Sequence, residues 1–202
     1  MNGVVLISGN GSNLQSIIDN AQSIDLKICC VISNKTDAFG LKRAVKAGIP
    51  CVALDETLFD SKLGFDQEIM TVIDNYQAEI IILAGYMRIL SADFISKYFG
   101  KILNIHPSLL PKFPGLNTHQ RAIEASEKIH GVSVHFVTEE LDGGPVIAQE
   151  FVKIDSTDNS QTLEKKVLDK EHALYPKTIH WYTQGRLKLI DNNTATLDNK
   201  TL

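Results

Sequence analysis

The stretch VVLISGNGSNLQSII (residues 4–18) decides the fold. Val4, Val5, Leu6 and Ile7 form an apolar run without polar alternation, the pattern of a strand buried on both faces in a parallel sheet. The run passes directly into Gly9-Asn10-Gly11-Ser12-Asn13 and then into a segment of helical periodicity, Asn13–Ala21, with Ser12 as its expected N-cap. Strand, glycine-bearing turn and helix in this order open a β-α-β series. Further along, LKICCVI (26–32), CVAL (51–54) and EIIILA (79–84) repeat the strand pattern. Between them lie Gly40–Ala47, closed by Gly48, and Gly64–Tyr76, with Phe65, Ile69, Val72, Ile73 and Tyr76 on one face. Helix Ser91–Tyr98 and strand Lys101–Ile105 continue the series. The order predicts an α/β protein with a Rossmann-like, doubly wound, mostly parallel sheet and ligands at the carboxyl ends of its strands.

Beyond Pro107 the pattern changes. A Pro-rich loop, PSLLPKFPG (107–115), leads to a short helix near His119–Ser126. HGVSVHFV (130–137) and PVIAQEFVKI (145–154) alternate on either side of TEELDGG and predict an antiparallel C-terminal strand pair. A long C-terminal helix over about Ser160–Gln184, closed by Gly185, follows. We expect one domain over residues 1–190, with halves of about 1–100 and 101–190. The composition of DNNTATLDNKTL (191–202) suggests a loosely held tail.

The chain has 202 residues, 44 % of them hydrophobic and 22 % charged, with 20 basic and 24 acidic side chains for a net charge of −4. This balance excludes a basic nucleic-acid coat and a disordered acidic tail, and it requires any anion site to be built locally. Cys29, Cys30 and Cys51 offer no CxxC spacing, and His119, His130 and His135 match no zinc pattern, so neither a disulfide framework nor a metal is expected. The N-terminus lacks the basic region and long apolar run of a signal or membrane segment; the expectation is a soluble, cytoplasmic protein without a membrane partner.

Two places carry chemistry. At the first, backbone N–H groups of the Gly9–Asn13 turn and the dipole of the following helix converge as they do where an anion is held. Dinucleotide binding would need a glycine where Leu14 stands and an acid where Ser33-Asn34 stands, so it is disfavoured, and the Ser12 hydroxyl and Asn13 amide fit a small phosphomonoester better. Plain chain reversal is the competing reading. At the second, Asn104 and His106 alternate across Ile105 and project to the same side at a strand end. An amide donor beside an imidazole suits an acyl-transfer oxyanion, although Asn104 could cap a turn and His106 could be an ordinary strand-end histidine. Asp142, in Leu141-Asp142-Gly143-Gly144, favours the catalytic reading, because paired glycines permit a turn that points a carboxylate inward; an ordinary hairpin turn remains the alternative.

ISGNGSNLQ (7–15), ILAGYMRIL (82–90), NIHPSLLPKFPG (104–115), HGVSVHFVTEELDGGPVIAQ (130–149) and EHALYP (171–176) together resemble the folate-dependent formyltransferase family over nearly the whole chain. The resemblance implies 10-formyltetrahydrofolate as co-substrate, no metal, and, from the GNGSN loop and the lack of an extra domain, the amine of glycinamide ribonucleotide as acceptor in purine biosynthesis. It implies Asn104, a protonated His106 and Asp142 as the catalytic set, with Asp142 keeping the imidazole charged. Gly11, Ser12 and Asn13 would take the phosphate, and Glu171 the sugar or glycinamide portion. Without the resemblance Glu171 reads as a solvated helix residue. Met87, Arg88, Ile89 and Leu90, otherwise a connector with core residues, and the turn Thr138, Glu139, Glu140, Leu141, Asp142 would wall the pterin slot, largely through backbone groups. Lys62 stands where the family carries an arginine near the folate's glutamate tail; it keeps the charge without the bidentate fork. The alternatives are a formyltetrahydrofolate hydrolase-like enzyme, which needs no phosphate loop, and a non-catalytic folate or nucleotide sensor, in which a member of the Asn104, His106, Asp142 set should be missing. The expected partners are these small molecules and no nucleic acid, with the chain a monomer or homodimer.

Overall fold

The computed structural model describes residues 1–202, which divide into two compact units, Met1–Leu103 and Asn104–Leu202. In the first, β1 (Asn2–Ile7), β2 (Lys27–Ser33), β3 (Cys51–Ala53) and β4 (Ile80–Leu83) pair in the order β3-β2-β1-β4, with β1 parallel to both of its neighbours and β2 parallel to β3. Helices α1 (Ser12–Asn20), α2 (Phe39–Lys46), α3 (Lys62–Asn75) and α4 (Ala92–Lys97) alternate with these strands. Val4 to Ile7 and Ile80 to Leu83 are buried without alternation, as the two-sided burial of parallel strands requires. Leu14 and Ile17 of α1 and Phe65, Ile69 and Ile73 of α3 complete this core.

Strand β5 (Ile102–His106) begins at the end of the first unit and carries the chain into the second. There α5 (Thr118–Glu124) precedes β6 (Ile129–Phe136) and β7 (Val146–Lys153), which pair antiparallel. The register shifts between Val134 and His135, the former facing Ala148 and the latter Val146. A bulge of this kind re-aims neighbouring side chains, and it falls at a histidine of the site described below. The long helix α6 (Ser160–Thr183) starts at a capping box: the Asn159 side chain accepts from the Thr162 N–H at 3.0 Å, and the Thr162 hydroxyl accepts from the Asn159 N–H at 2.9 Å. Leu163, Val167, Tyr175 and Ile179 of α6 are buried, as are Val132, Val134 and Phe136 of β6. The class, the mostly parallel sheet, the antiparallel pair and the long C-terminal helix are those expected from the sequence.

Two local expectations are corrected. Ser12 is the first residue of α1 and not its cap; the cap is Gly11, with φ 73°. Residues 191–202 are not a loose tail, because β8 (Leu187–Asp191), β9 (Thr194–Leu197) and β10 (Lys200–Thr201) form an antiparallel sheet. The polar residues there make turns: the Asn193 N–H donates to Asp191 at 2.9 Å, and Asp198 and Asn199 take φ of 54° and 62°. Arg186 grips Asp198 through two hydrogen bonds of 2.8 and 2.7 Å. No helix is long and apolar enough to cross a membrane.

Candidate active site

In the first unit the carboxyl ends of β1, β2 and β4 are tied together by Ser8. Its buried hydroxyl donates to Asn34 Oδ1 at 2.6 Å and accepts the Met87 N–H at 2.8 Å. The phosphate turn and the 87–90 stretch are therefore held by one side chain. Gly11 is required twice over, since its φ is positive and a Cβ there would stand 2.7 Å from Gly40 Cα. Ser12 is half-buried and Asn13 buried in the first turn of α1.

Within 87–90 the residues separate. Met87 and Ile89 are 66 % and 70 % exposed, which rules out the core reading for both, whereas Leu90 is buried. The Arg88 guanidinium lies 4.2 Å from the Phe65 ring centroid, pairs with Glu56 of the 3₁₀ turn Glu56–Leu58, and stands 3.8 Å from buried Asp66. Asp66 also accepts the Ser91 N–H at 2.8 Å, so the ends of this stretch are anchored on α3. Lys62 is exposed at the first position of α3.

In the second unit Asn104, His106 and Asp142 come together. His106 Nδ1 is 3.4 Å from Asp142 Oδ2, and Asn104 Nδ2 is 3.5 Å from Asp142 Oδ1. Asp142 adopts φ 51°, a conformation an aspartate tolerates, and accepts the Gly115 N–H at 2.8 Å. The inward turn therefore rests on Asp142 itself, not on a left-handed glycine. Gly144 serves close approach instead: a Cβ there would lie 2.0 Å from the Phe136 carbonyl oxygen. His106 Nε2 is 2.9 Å from the Phe113 carbonyl oxygen, an acceptor only, so Nε2 carries a proton and the neutral ring presents its lone pair at Nδ1.

Burial pulls the His106 pKa below the ordinary histidine value, and this outweighs the opposing pull of the Phe113 carbonyl and Asp142. The charge of the resting imidazole is therefore set by burial acting against Asp142 and the Phe113 carbonyl. Burial works the other way on Asp142, yet its surroundings, the Gly115 N–H among them, bring its pKa below the usual aspartate value. A half-buried carboxylate and an imidazole nitrogen thus face each other at 3.4 Å.

The structure also brings His135 and Ser133 to the site. His135 Nδ1 is 2.8 Å from the Phe136 carbonyl, and its Nε2 is 3.0 Å from Asn104 Nδ2. With Nδ1 bearing the proton, Nε2 accepts from the amide and fixes which way Asn104 points. Ser133 Oγ donates to the Ser108 carbonyl at 2.6 Å and accepts from the Leu110 N–H at 3.0 Å, which holds the loop that presents Phe113 to His106. Glu171 is 7 % exposed on α6, so the solvated reading fails for it. Thr138 is buried, while Glu139, Glu140 and Leu141 are exposed. His119 Nδ1 and His130 Nε2 lie 3.2 Å apart, and no cluster of three His, Cys, Asp or Glu side chains is placed to hold a metal ion.

Comparison with known proteins places the chain in a family. A model of the formyl transferase family matches residues 1–179. The chain is 52 % identical over 204 residues to phosphoribosylglycinamide formyltransferase of Escherichia coli, covering 100 % of this chain and 96 % of that protein. It is 42 % identical over 190 residues to the trifunctional purine biosynthetic protein adenosine-3 of Homo sapiens, covering 93 % of this chain and 19 % of that protein. Among solved structures, phosphoribosylglycinamide formyltransferase from Coxiella burnetii in complex with CHES superposes with a TM-score of 0.96 at 47 % identity, covering 100 % of this chain and 95 % of that one.

Proposed function

The chain belongs to the formyl transferase family, and from that premise we propose how its own residues carry out the reaction. The enzyme transfers the formyl group of 10-formyltetrahydrofolate to the amine of glycinamide ribonucleotide, giving formylglycinamide ribonucleotide and tetrahydrofolate in purine biosynthesis. The amine nitrogen bonds to the formyl carbon, the carbonyl oxygen becomes an oxyanion, and the bond from that carbon to N10 then breaks. One proton must leave the amine and one must reach N10.

His106 takes the amine's proton at Nδ1, the nitrogen that the Phe113 carbonyl leaves as the base. The imidazolium so formed faces Asp142 at 3.4 Å, which stabilises it during the step rather than before it. The same proton is then available for N10. Asn104 donates to the oxyanion through Nδ2, whose contact with Asp142, at 3.5 Å, is long enough to exchange readily. In the first unit Gly11, Ser12 and Asn13 take the ribonucleotide phosphate on backbone N–H groups. Folate contacts there come from Met87 to Leu90 and, at the glutamate tail, from Lys62. In the second unit the turn Thr138 to Asp142 contacts folate, and Glu171 contacts the ribonucleotide. The enzyme acts in the cytoplasm as a monomer or homodimer; its net charge of −4 supports the absence of a nucleic-acid partner.

The convergence of Asn104, His106 and Asp142 carries this assignment of roles. The test is incubation with 10-formyltetrahydrofolate alone and then with glycinamide ribonucleotide added. Formyl loss that awaits the ribonucleotide and appears in the formylated product is expected. Full-rate deformylation without it would identify a hydrolase instead.

A further inference from the structure

We propose that Arg43 is a positioning residue that shapes the phosphate turn, with the phosphomonoester of the ribonucleotide as the group it serves. Arg43 lies on α2, 33 positions from Asn10, and grips that residue with a fork. Its Nε donates to the Asn10 carbonyl oxygen at 3.0 Å and its Nη2 to Asn10 Oδ1 at 2.9 Å. A third bond, Nη1 to Gln15 Oε1 at 3.3 Å, reaches the first turns of α1. The guanidinium rests on the ring of Phe39, 5.0 Å from its centroid, which accounts for a phenylalanine left 49 % exposed.

The effect on the turn follows from peptide planarity. In a trans peptide the C=O of one residue and the N–H of the next point in opposite directions. The Gly40 N–H donates to the Gly9 carbonyl at 3.0 Å, so the Asn10 N–H is aimed away from α2. Arg43 does the same to the next peptide, drawing the Asn10 carbonyl towards α2 and aiming the Gly11 N–H away from it. Two successive N–H groups aimed away from α2, ahead of the first turn of α1, form the concave donor set in which an anion sits. The left-handed Gly11 and the close approach of Gly40 to it are what this orientation requires of the chain. Lysine carries its donors on a single nitrogen and cannot span the two oxygens with the fixed fork that Nε and Nη2 provide, so the argument depends on arginine and not on positive charge alone.

This inference rests on the reading of the turn as the phosphate site, and the test separates the two. Inorganic phosphate is used as the probe, competing against glycinamide ribonucleotide in the wild-type enzyme and in Arg43→Gln and Arg43→Lys. Absence of competition in the wild type would overturn the phosphate reading itself. Given competition, both variants are expected to raise the KM for the ribonucleotide and the inhibition constant of phosphate about tenfold, as loss of charge-assisted bonds implies. The KM for 10-formyltetrahydrofolate and kcat at saturation should stay within about twofold, a split that general loss of structure does not give. Phosphate inhibition unchanged in Arg43→Gln, or restored to the wild-type level in Arg43→Lys, overturns the proposal. Asn10→Ala, at an exposed position, removes only the side-chain half of the fork and gives a smaller rise of the same kind; no rise there also counts against it.

Discussion

Asn104 Nδ2 lies 3.0 Å from His135 Nε2, and the opposite nitrogen of that ring is held by the Phe136 carbonyl at 2.8 Å. The histidine therefore sets the orientation of the amide without reaching the reacting atoms. His135→Phe keeps the ring's bulk and removes the acceptor. Steady-state kinetics should show kcat lowered by about tenfold or more, short of the 10²–10³ typical of deleting an oxyanion donor outright, with both KM values nearly unchanged. His135→Gln, whose carbonyl oxygen can accept from Asn104, should recover part of the loss. Full turnover in His135→Phe would remove His135 from the mechanism.

His106 should titrate below 6.5, the ordinary value, because its burial outweighs the pull of Asp142. Asp142 raises the His106 pKa, so Asp142→Asn should move the midpoint lower still, with turnover reduced about 10²-fold by loss of the imidazolium's partner. NMR titration of the imidazole carbon-bound protons reads the midpoint directly. A midpoint above 6.5, or an upward move in Asp142→Asn, would contradict the proposed base.

The fold was legible because buried parallel strands announce themselves: IIIL at 80–83 and VVLI at 4–7 have no polar residue to place on an outer face. Asn104 and His106 were legible from their spacing of two on a strand end. His135 was not, because its role depends on which residue of β5 it faces and on a bulge beside Val134, and register is not written in one strand alone. Arg43 was hidden for a different reason. On α2 it stands in LKRAVK, where a basic residue reads as helix surface, and its meaning comes from a turn 33 residues earlier. The terminal sheet is not legible because TATL offers only four residues of alternation, while its polar neighbours resemble a loose tail as much as tight turns.

Ser8 connects the phosphate turn to the 87–90 stretch through one hydroxyl, with bonds of 2.6 Å to Asn34 and 2.8 Å to the Met87 N–H. Ser8→Ala leaves a buried amide oxygen and a part-buried N–H without that partner, at a cost of about 1–3 kcal/mol. The melting temperature should fall, and the KM for 10-formyltetrahydrofolate should rise as the Met87 backbone loosens. Kinetics and calorimetry on the same preparation check both. A lowered melting temperature with an unchanged KM would mean that the hydroxyl supports the unit without serving the folate.

His130 is 1 % exposed, and burial, aided by His119, pushes its pKa down from 6.5 to about 4. The unfolded chain binds a proton at this residue as pH falls through 6.5, whereas the folded protein does so only near 4. Stability from this group is therefore complete above pH 6.5 and is lost as the pH falls towards 4, the sign for a histidine held neutral by the fold. Between pH 7 and pH 5 the loss should be about 2 kcal/mol. His119, whose pKa burial also lowers, adds to it in the same direction. Urea unfolding midpoints across that interval measure the slope. In His130→Phe, which retains a ring against Phe113, the slope should shrink markedly; an equally steep variant would place the pH sensitivity elsewhere.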